Sequence, residues 1–153
     1  MTFGASPGMH VRPARVSDAG AIAELATELG YPSGREEAVR RIAGLAEHAR
    51  DHGVYVAESD PRGIVGWIHV TILRHLESDP YAEIVGLVVR EGARGEGIGA
   101  RLVREARDWA LERGLKRLDV RSNVVREDAH RFYEREGFRL VKRQAVMTLD
   151  LNR

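Results

Sequence analysis

Apolar residues along the chain fall first at helical and then at strand spacing. Ala21, Ile22, Leu25, Ala26 and Leu29 recur three and four positions apart, which lays them along one helix face. Ser17 stands where an N-cap belongs, and Gly30, followed by Pro32 and Gly34, closes the pattern. Val39, Ile42, Leu45 and Ala46 predict a second helix over residues 36–49. The spacing then changes. Apolar runs at 54–57 and 64–70 flank Ser59-Asp60-Pro61-Arg62-Gly63, a turn signal, and predict a hairpin. Residues 82–89 are nearly continuously apolar, as in a strand buried on both faces. Ile98, Leu102, Val103, Ala106, Trp109 and Ala110 define a strongly amphipathic helix that Gly114 ends. A short strand at 118–121 and a helix at 128–136 follow, the latter with Ala129, Phe132 and Tyr133 on one stripe.

At the two ends, residues 10–14 predict an opening strand and 138–151 one or two closing strands. Residues 1–8, rich in Gly, Ser and Pro, read as a loose tail, and 9–153 as a single domain. The element order β-α-α-β-β-β-α-β-α-β-β predicts an α/β fold of the mixed α+β type, a central mixed sheet with helices on both sides.

Composition narrows the classes. Lys and Arg number 24 against 23 Asp and Glu, a net charge of +1, and the basic residues alternate with acidic ones. No concentrated basic face recommends nucleic acid as a partner. With 43% hydrophobic and 31% charged residues the chain has the balance of an ordinary globular protein. No apolar run approaches the length of a membrane span, and the first ten residues lack the pattern of a signal peptide, so a cytoplasmic protein is expected. The absence of cysteine excludes disulfides, thiolate metal ligands and a thiol-borne covalent intermediate. His69, His75 and His130 have no carboxylate or imidazole at ligand spacing, and no metal is expected.

Chemistry concentrates where the buried strand meets the amphipathic helix. Gly92, Gly95, Gly97 and Gly99 occupy that junction. Glycines there let the backbone approach a ligand, and the amides opening a helix attract an anion, so the segment has the makings of a phosphate site. A plain flexible connection explains the same glycines equally well. A Walker loop would end in Gly-Lys-Ser/Thr, whereas this segment ends in Gly99-Ala100-Arg101. A dinucleotide fingerprint is formally present as Gly95-x-Gly97-x-x-Ala100, with Asp119 as ribose acid. The turn is too long for it, and no second βαβ half follows.

Arg94-Gly95-Glu96-Gly97-Ile98-Gly99 resembles the R/Q-x-x-G-x-G/A signature of the GNAT superfamily of N-acetyltransferases. Asn123-Val-Val-Arg-Glu-Asp-Ala-His-Arg-Phe-Tyr-Glu-Arg-Glu-Gly-Phe138 is similar to that family's N-x₅-A-x-x-F-Y-E-K/R-x-G-F block. The two motifs stand in the family's order, and the close likeness covers residues 82–138. It implies a GNAT fold, a mostly antiparallel mixed sheet of about six to seven strands flanked by four helices. It also implies acetyl-CoA as co-substrate, with its pyrophosphate on the amides of Arg94, Gly95, Glu96, Gly97, Ile98, Gly99 and Ala100. The pantetheine arm would pair with Leu87, Val88 and Val89 as an added strand, a recognised binding mode. Asn123 and Ala129 would contact the coenzyme. Many family members are dimers, which leaves a homodimer open.

Acetyl transfer to an amine needs a neutral amine, a polarised thioester and a proton for the departing thiolate. Glu83, a carboxylate in an otherwise apolar strand, is the candidate base. Histone acetyltransferases of the superfamily carry a base glutamate in a similar Ala-Glu-Ile-Val run; the competing reading is a structural ion pair. Tyr133 is the candidate acid, by its place in the Phe-Tyr-Glu block, against the alternative of simple packing beside Phe132. A backbone N–H near Leu87 or Val88 would polarise the thioester carbonyl. The expected reaction is direct transfer in a ternary complex to an amine-bearing small molecule or peptide. The rivals are an acyl-CoA-binding module without catalysis and a nucleotide-binding protein. Trp67 and Trp109 read as core, and residues 28–33 as an acceptor wall or an ordinary helix–helix turn.

Overall fold

The computed structural model describes residues 8–28, 30–121 and 127–152; the expectations for residues 1–7, Leu29 and Asn123 lie outside these. Five strands, β1 (Met9–Pro13), β2 (His52–Ser59), β3 (Gly63–His75), β4 (Ser78–Val89) and β5 (Leu118–Val120), form one sheet in sequence order. β1 to β4 pair antiparallel, and β5 runs parallel to β4. The helices are α1 (Ala19–Glu28), α2 (Arg35–Ala46), α3 (Ile98–Glu112) and α4 (Glu127–Arg135). Residues 1–121 and 122–153 are two compact units, the first holding the sheet with α1 to α3 and the second holding α4.

Hydrophobic period and helix face agree closely in α3. The six residues that define its stripe are the six that are buried. Close packing onto the sheet depends on two glycines. A Cβ at Gly66 would stand 3.1 Å from Leu102 Cδ1, and one at Gly53 only 2.7 Å from Trp109 Nε1. α1 covers the other face, where Leu25 packs with Val56, Ile64, Val88 and Trp67. Gly66 and Trp67 are chain neighbours, so they point to opposite faces of β3. Gly30 (φ +87°) ends α1 as the pattern predicts: its N–H donates to Thr27 O and that of Tyr31 to Ala26 O, both 3.0 Å.

Three expectations need correcting. The oxygen at the entry to α1 belongs to Asp18, which accepts the Arg15 N–H at 2.7 Å and both terminal nitrogens of Arg12 at 2.9 Å; Ser17 is not that acceptor. The Arg12 guanidinium holds the Asp18 carboxyl below the usual carboxylate range. The strand at 82–89 starts earlier, at Ser78, and is not buried throughout. Finally, the described part of 138–152 contributes no strand, so the sheet has five rather than six to seven. Its apolar residues have the strand period, which by itself does not supply the pairing that makes a strand.

Candidate active site

β4 changes character at Val85. β5 is registered against it only over Ala82–Ile84, while β4 runs on to Val89. On the β3 side, His69 is opposite Gly86 and Val70 is opposite Ile84, so Val85 is skipped and forms a bulge. Opposed residues share a face, so Thr71 and Glu83 lie on the face that carries His69, Gly86, Trp67 and Val88. Were β4 paired regularly through Val85, with Val85 opposite Val70, Glu83 would fall opposite Ile72 and point to the α3 side. Val85 itself is 47% exposed, whereas Glu83 is 6% exposed.

Backbone direction beyond the bulge follows from one bond. The Arg90 N–H donates to Val65 O at 2.7 Å. Antiparallel strands alternate their polar groups, so Val88 also faces β3, while the N–H and C=O of Leu87 and Val89 face the side that β5 has left. Among the described residues no strand is registered with β4 on that side. An extended ligand would find an open edge there.

The edge leads directly into the glycine segment. Glu91–Ala93 form one 3₁₀ turn, and Gly95 (φ +85°) and Gly97 (φ +78°) then take left-handed conformations that only glycine adopts without strain. Gly97 is the N-cap of α3 and offers no side-chain oxygen to the helix. The first intrahelical bond is Arg101 N–H to Gly97 O, 3.1 Å, so the amides of Ile98, Gly99 and Ala100 precede the ladder. No acidic residue occupies the first turn. Arg94 is exposed at the rim. These donors, with the helix dipole behind them, suit a pyrophosphate.

Sequence reasoning missed what steadies this loop. Arg62, in the β2–β3 turn, donates to both oxygens of Glu96 at 2.8 and 3.0 Å and to Ser59 Oγ at 3.3 Å. The hydrogen bonds to Glu96 raise the Arg62 pKa further above its usual range. Nothing in the local pattern joins positions 34 residues apart.

Glu83 has a partner too. Its Oε1 accepts Arg121 Nε at 2.7 Å. That bond, and the charge behind it, raise the Arg121 pKa. Arg117, Asp119 and Arg121 alternate along the end strand; Arg117 holds both oxygens of Asp119 at 2.8 and 2.6 Å and lies 3.9 Å over the Tyr81 ring. The period-two spacing of these three charges is the signal that could have found them. On the same face as Glu83, His52 Nδ1 and His69 Nε2 are 3.0 Å apart. Burial, and secondarily His52, lower the His69 pKa to about 4. Trp109 is buried in the core, and Trp67 packs half-buried against the Leu25 cluster, with an indole N–H that is itself buried and has no hydrogen-bond partner among the described residues.

Glu83, Leu87, Val88, Val89 and Arg94 to Ala100 thus lie on one continuous path from β4 into α3. Ala129 and Tyr133 lie on α4, in the second unit. There Tyr133 packs edge-on to Phe132 and Phe138, with ring centroids 5.0 and 5.6 Å away, and burial raises its pKa above the usual phenol value. Asn123 lies outside the described residues. No group of three metal-binding side chains occurs among the described residues, nor does any described helix have the length and apolarity to cross a membrane. A shallow depression lined by Arg50, Asp51, Ile72, Arg74, Glu112 and Arg113 holds none of the candidate residues.

The model of the acetyltransferase (GNAT) family matches residues 20–138. The chain belongs to the GNAT family. Among its GNAT relatives, an aminoalkylphosphonate N-acetyltransferase of Salmonella typhimurium is 33% identical over 117 residues, 75% of this chain and 71% of that protein. An aminoglycoside N(6')-acetyltransferase type 1 of Serratia marcescens is 26% identical over 112 residues, 71% of this chain and 77% of that one. The crystal structure of an aminoglycoside antibiotic 6'-N-acetyltransferase from Acinetobacter baumannii superposes with a TM-score of 0.82 at 18% identity, covering 95% of this chain and 100% of that one. The fold is the GNAT fold despite the lower strand count, and the protein is an acyl-CoA-dependent N-acetyltransferase.

Proposed function

We propose that this enzyme moves an acetyl group from acetyl-CoA to the primary amine of a small molecule by direct attack in a ternary complex. The observation that carries the proposal is the departure of β4 from β5 after Ile84, which leaves Leu87 and Val89 facing outward just ahead of the capless N-terminus of α3. Pantetheine lies along that edge and the pyrophosphate on the amides of Gly95 to Ala100. The Leu87 N–H, rather than that of Val88, is the one aimed to polarise the thioester carbonyl. The amine nitrogen attacks that carbonyl and the C–S bond breaks. Glu83, oriented by its hydrogen bond from Arg121, takes the ammonium proton directly or through water, and Tyr133 protonates the thiolate. Burial keeps the Tyr133 phenol protonated through the neutral range, the form an acid requires.

The acceptor classes to try first are aminoalkylphosphonates and aminoglycosides, the substrates named for the two relatives. Acetyl-CoA should raise the melting temperature while NAD and ATP leave it unchanged; stabilisation by NAD or ATP alone would overturn the donor assignment. Turnover is then read as released CoA with a thiol reagent, a clean signal because the chain has no cysteine. Glu83→Gln should slow turnover most near neutral pH, where the amine must lose its proton. An unchanged pH–rate profile removes Glu83 as the base.

A further inference from the structure

The proposed reaction leaves one buried titratable side chain on the Glu83 face unused, that of His69. Pairing fixes its surroundings. It stands opposite Gly86 on β4 and Val54 on β2, while His52 stands opposite Thr71 and reaches back to it. At 3.0 Å, His52 Nδ1 and His69 Nε2 share one proton between two neutral rings. That bond turns His69 Nε2 toward β2 and leaves Nδ1, across the ring, as its remaining polar atom. Nδ1 has no hydrogen-bond partner among the described residues. It is not one of the two buried orphan nitrogens, Trp67 Nε1 and Arg90 Nε, so it opens to solvent. Gly86 precedes Leu87, whose N–H is assigned to the acyl carbonyl, and the rim of Trp67 takes the place of a side chain there. A Cβ at Gly86 would stand 2.8 Å from Trp67 Cζ3. Thr71 gives its hydroxyl proton to Asp51 O at 3.0 Å. Beside the acyl position this face therefore offers two acceptors not committed to the backbone, the Glu83 carboxylate and His69 Nδ1.

We propose that His69 Nδ1 accepts the N–H that the acceptor amine keeps, so that His69 orients the nucleophile and selects primary over N-substituted amines. This rests on the roles given above to Leu87 and Glu83. A neutral primary amine has two N–H bonds besides the lone pair that attacks. One is lost on the way to the amide, which is the part of Glu83; the other survives in the product, and His69 holds it without taking a proton. Diagonal positions on one face of paired strands lie about 7–8 Å apart, so both side chains reach a single nitrogen. An N-methyl amine has one N–H and must give up one of the two contacts. For Nδ1 to accept, the shared proton belongs to His69 Nε2 and is donated to His52 Nδ1. Burial keeps the ring neutral well into the acid range, so the lone pair stays available.

The test compares 2-aminoethylphosphonate or kanamycin, whichever turns over, with its N-methyl derivative. The unaltered enzyme should favour the primary amine by about tenfold in kcat/KM, the worth of one directed hydrogen bond. His69→Asn keeps an oxygen near the place of Nδ1 and should retain that preference. His69→Gln keeps an amide near the place of Nε2, facing His52, and should lose it, with the KM for acetyl-CoA unchanged in both variants. The reverse order gives His69 a structural role alone and overturns the proposal, as does an unaltered enzyme that acetylates both amines equally. Where a variant does not fold, or neither amine turns over, nitrogen-15 NMR of the unaltered enzyme decides. His69 should carry its proton on Nε2, and its Nδ1 resonance should move when the primary amine joins the enzyme–CoA complex. A proton on Nδ1, or a resonance that stays in place, overturns the proposal. Failure of Glu83 as the base appears in the pH–rate profile of Glu83→Gln and not in the amine preference, so the two readings fail separately.

Discussion

The two halves of β4 differ although the sequence runs through them without a break in hydrophobicity. From Ala82 to Ile84 the strand is held between β3 and β5, every side chain is buried, and Glu83 is fixed by Arg121. From Val85 to Val89 one neighbour is gone, every side chain but that of Val88 is at least partly open, and alternate backbone groups face outward. The closed half suits proton chemistry, which needs a fixed carboxylate. The open half suits holding the donor, which needs free backbone. Binding and chemistry should therefore be separable by mutation.

The largest separation is expected at Tyr133. Tyr133→Phe should lower kcat by about 10²–10⁴, the usual contribution of a general acid, with acetyl-CoA affinity unchanged. Equal losses in both would remove Tyr133 from the acid role. At the junction of the two halves, His69 faces Gly86, and its folded pKa of about 4 lies below the about 6.5 of an unfolded histidine. The unfolded chain takes this proton first. The stabilisation is therefore complete above about pH 6.5 and lost as pH falls toward 4, by about 3 kcal/mol at most. Denaturant unfolding between pH 7 and pH 4.5 should show that slope, and His69→Gln should flatten it. A pair of proline substitutions tests the open edge itself. Leu87→Pro removes an outward amide and should weaken acetyl-CoA binding by about tenfold with a nearly unchanged melting temperature, about 1.4 kcal/mol for one directed hydrogen bond and its geometry. Val88→Pro removes an amide that faces β3 and should cost stability first. Identical behaviour of the two would refute the alternation. The smallest effect is expected at Arg62. Arg62→Ala should raise the acetyl-CoA dissociation constant a few-fold at most, and the swap of Arg62→Glu with Glu96→Arg should recover part of it.

Much of this was legible in the chain, for identifiable reasons. The α3 stripe and the hairpin about Pro61 follow from local periodicity, and the glycine turn follows from residues that must adopt positive φ. The family motifs placed Glu83 and Tyr133 as candidates, but the partner of Glu83 was not visible because Arg121 is brought to it by parallel pairing of β5. The Arg62–Glu96 bridge was hidden for the same reason, since it joins segments through tertiary folding alone. At 138–152 the pattern predicts one or two closing strands that the described residues do not contain, because apolar alternation gives a face and not a neighbour.

The extra residue at Val85 has a consequence for how this gene can vary. Val85 has no residue opposite it on β3, so loss of one codon there closes the bulge and leaves Glu83 opposite Thr71. Gain of one codon is different. With β4 paired as before downstream and the bulge still one residue wide, an insertion between Glu83 and Gly86 would turn Glu83 toward the α3 face, whose occupants include Ile68, Val70 and Leu102, all fully buried. A carboxylate stranded there without Arg121 would cost several kcal/mol. Shortening at this point is therefore expected to be tolerated where lengthening is not.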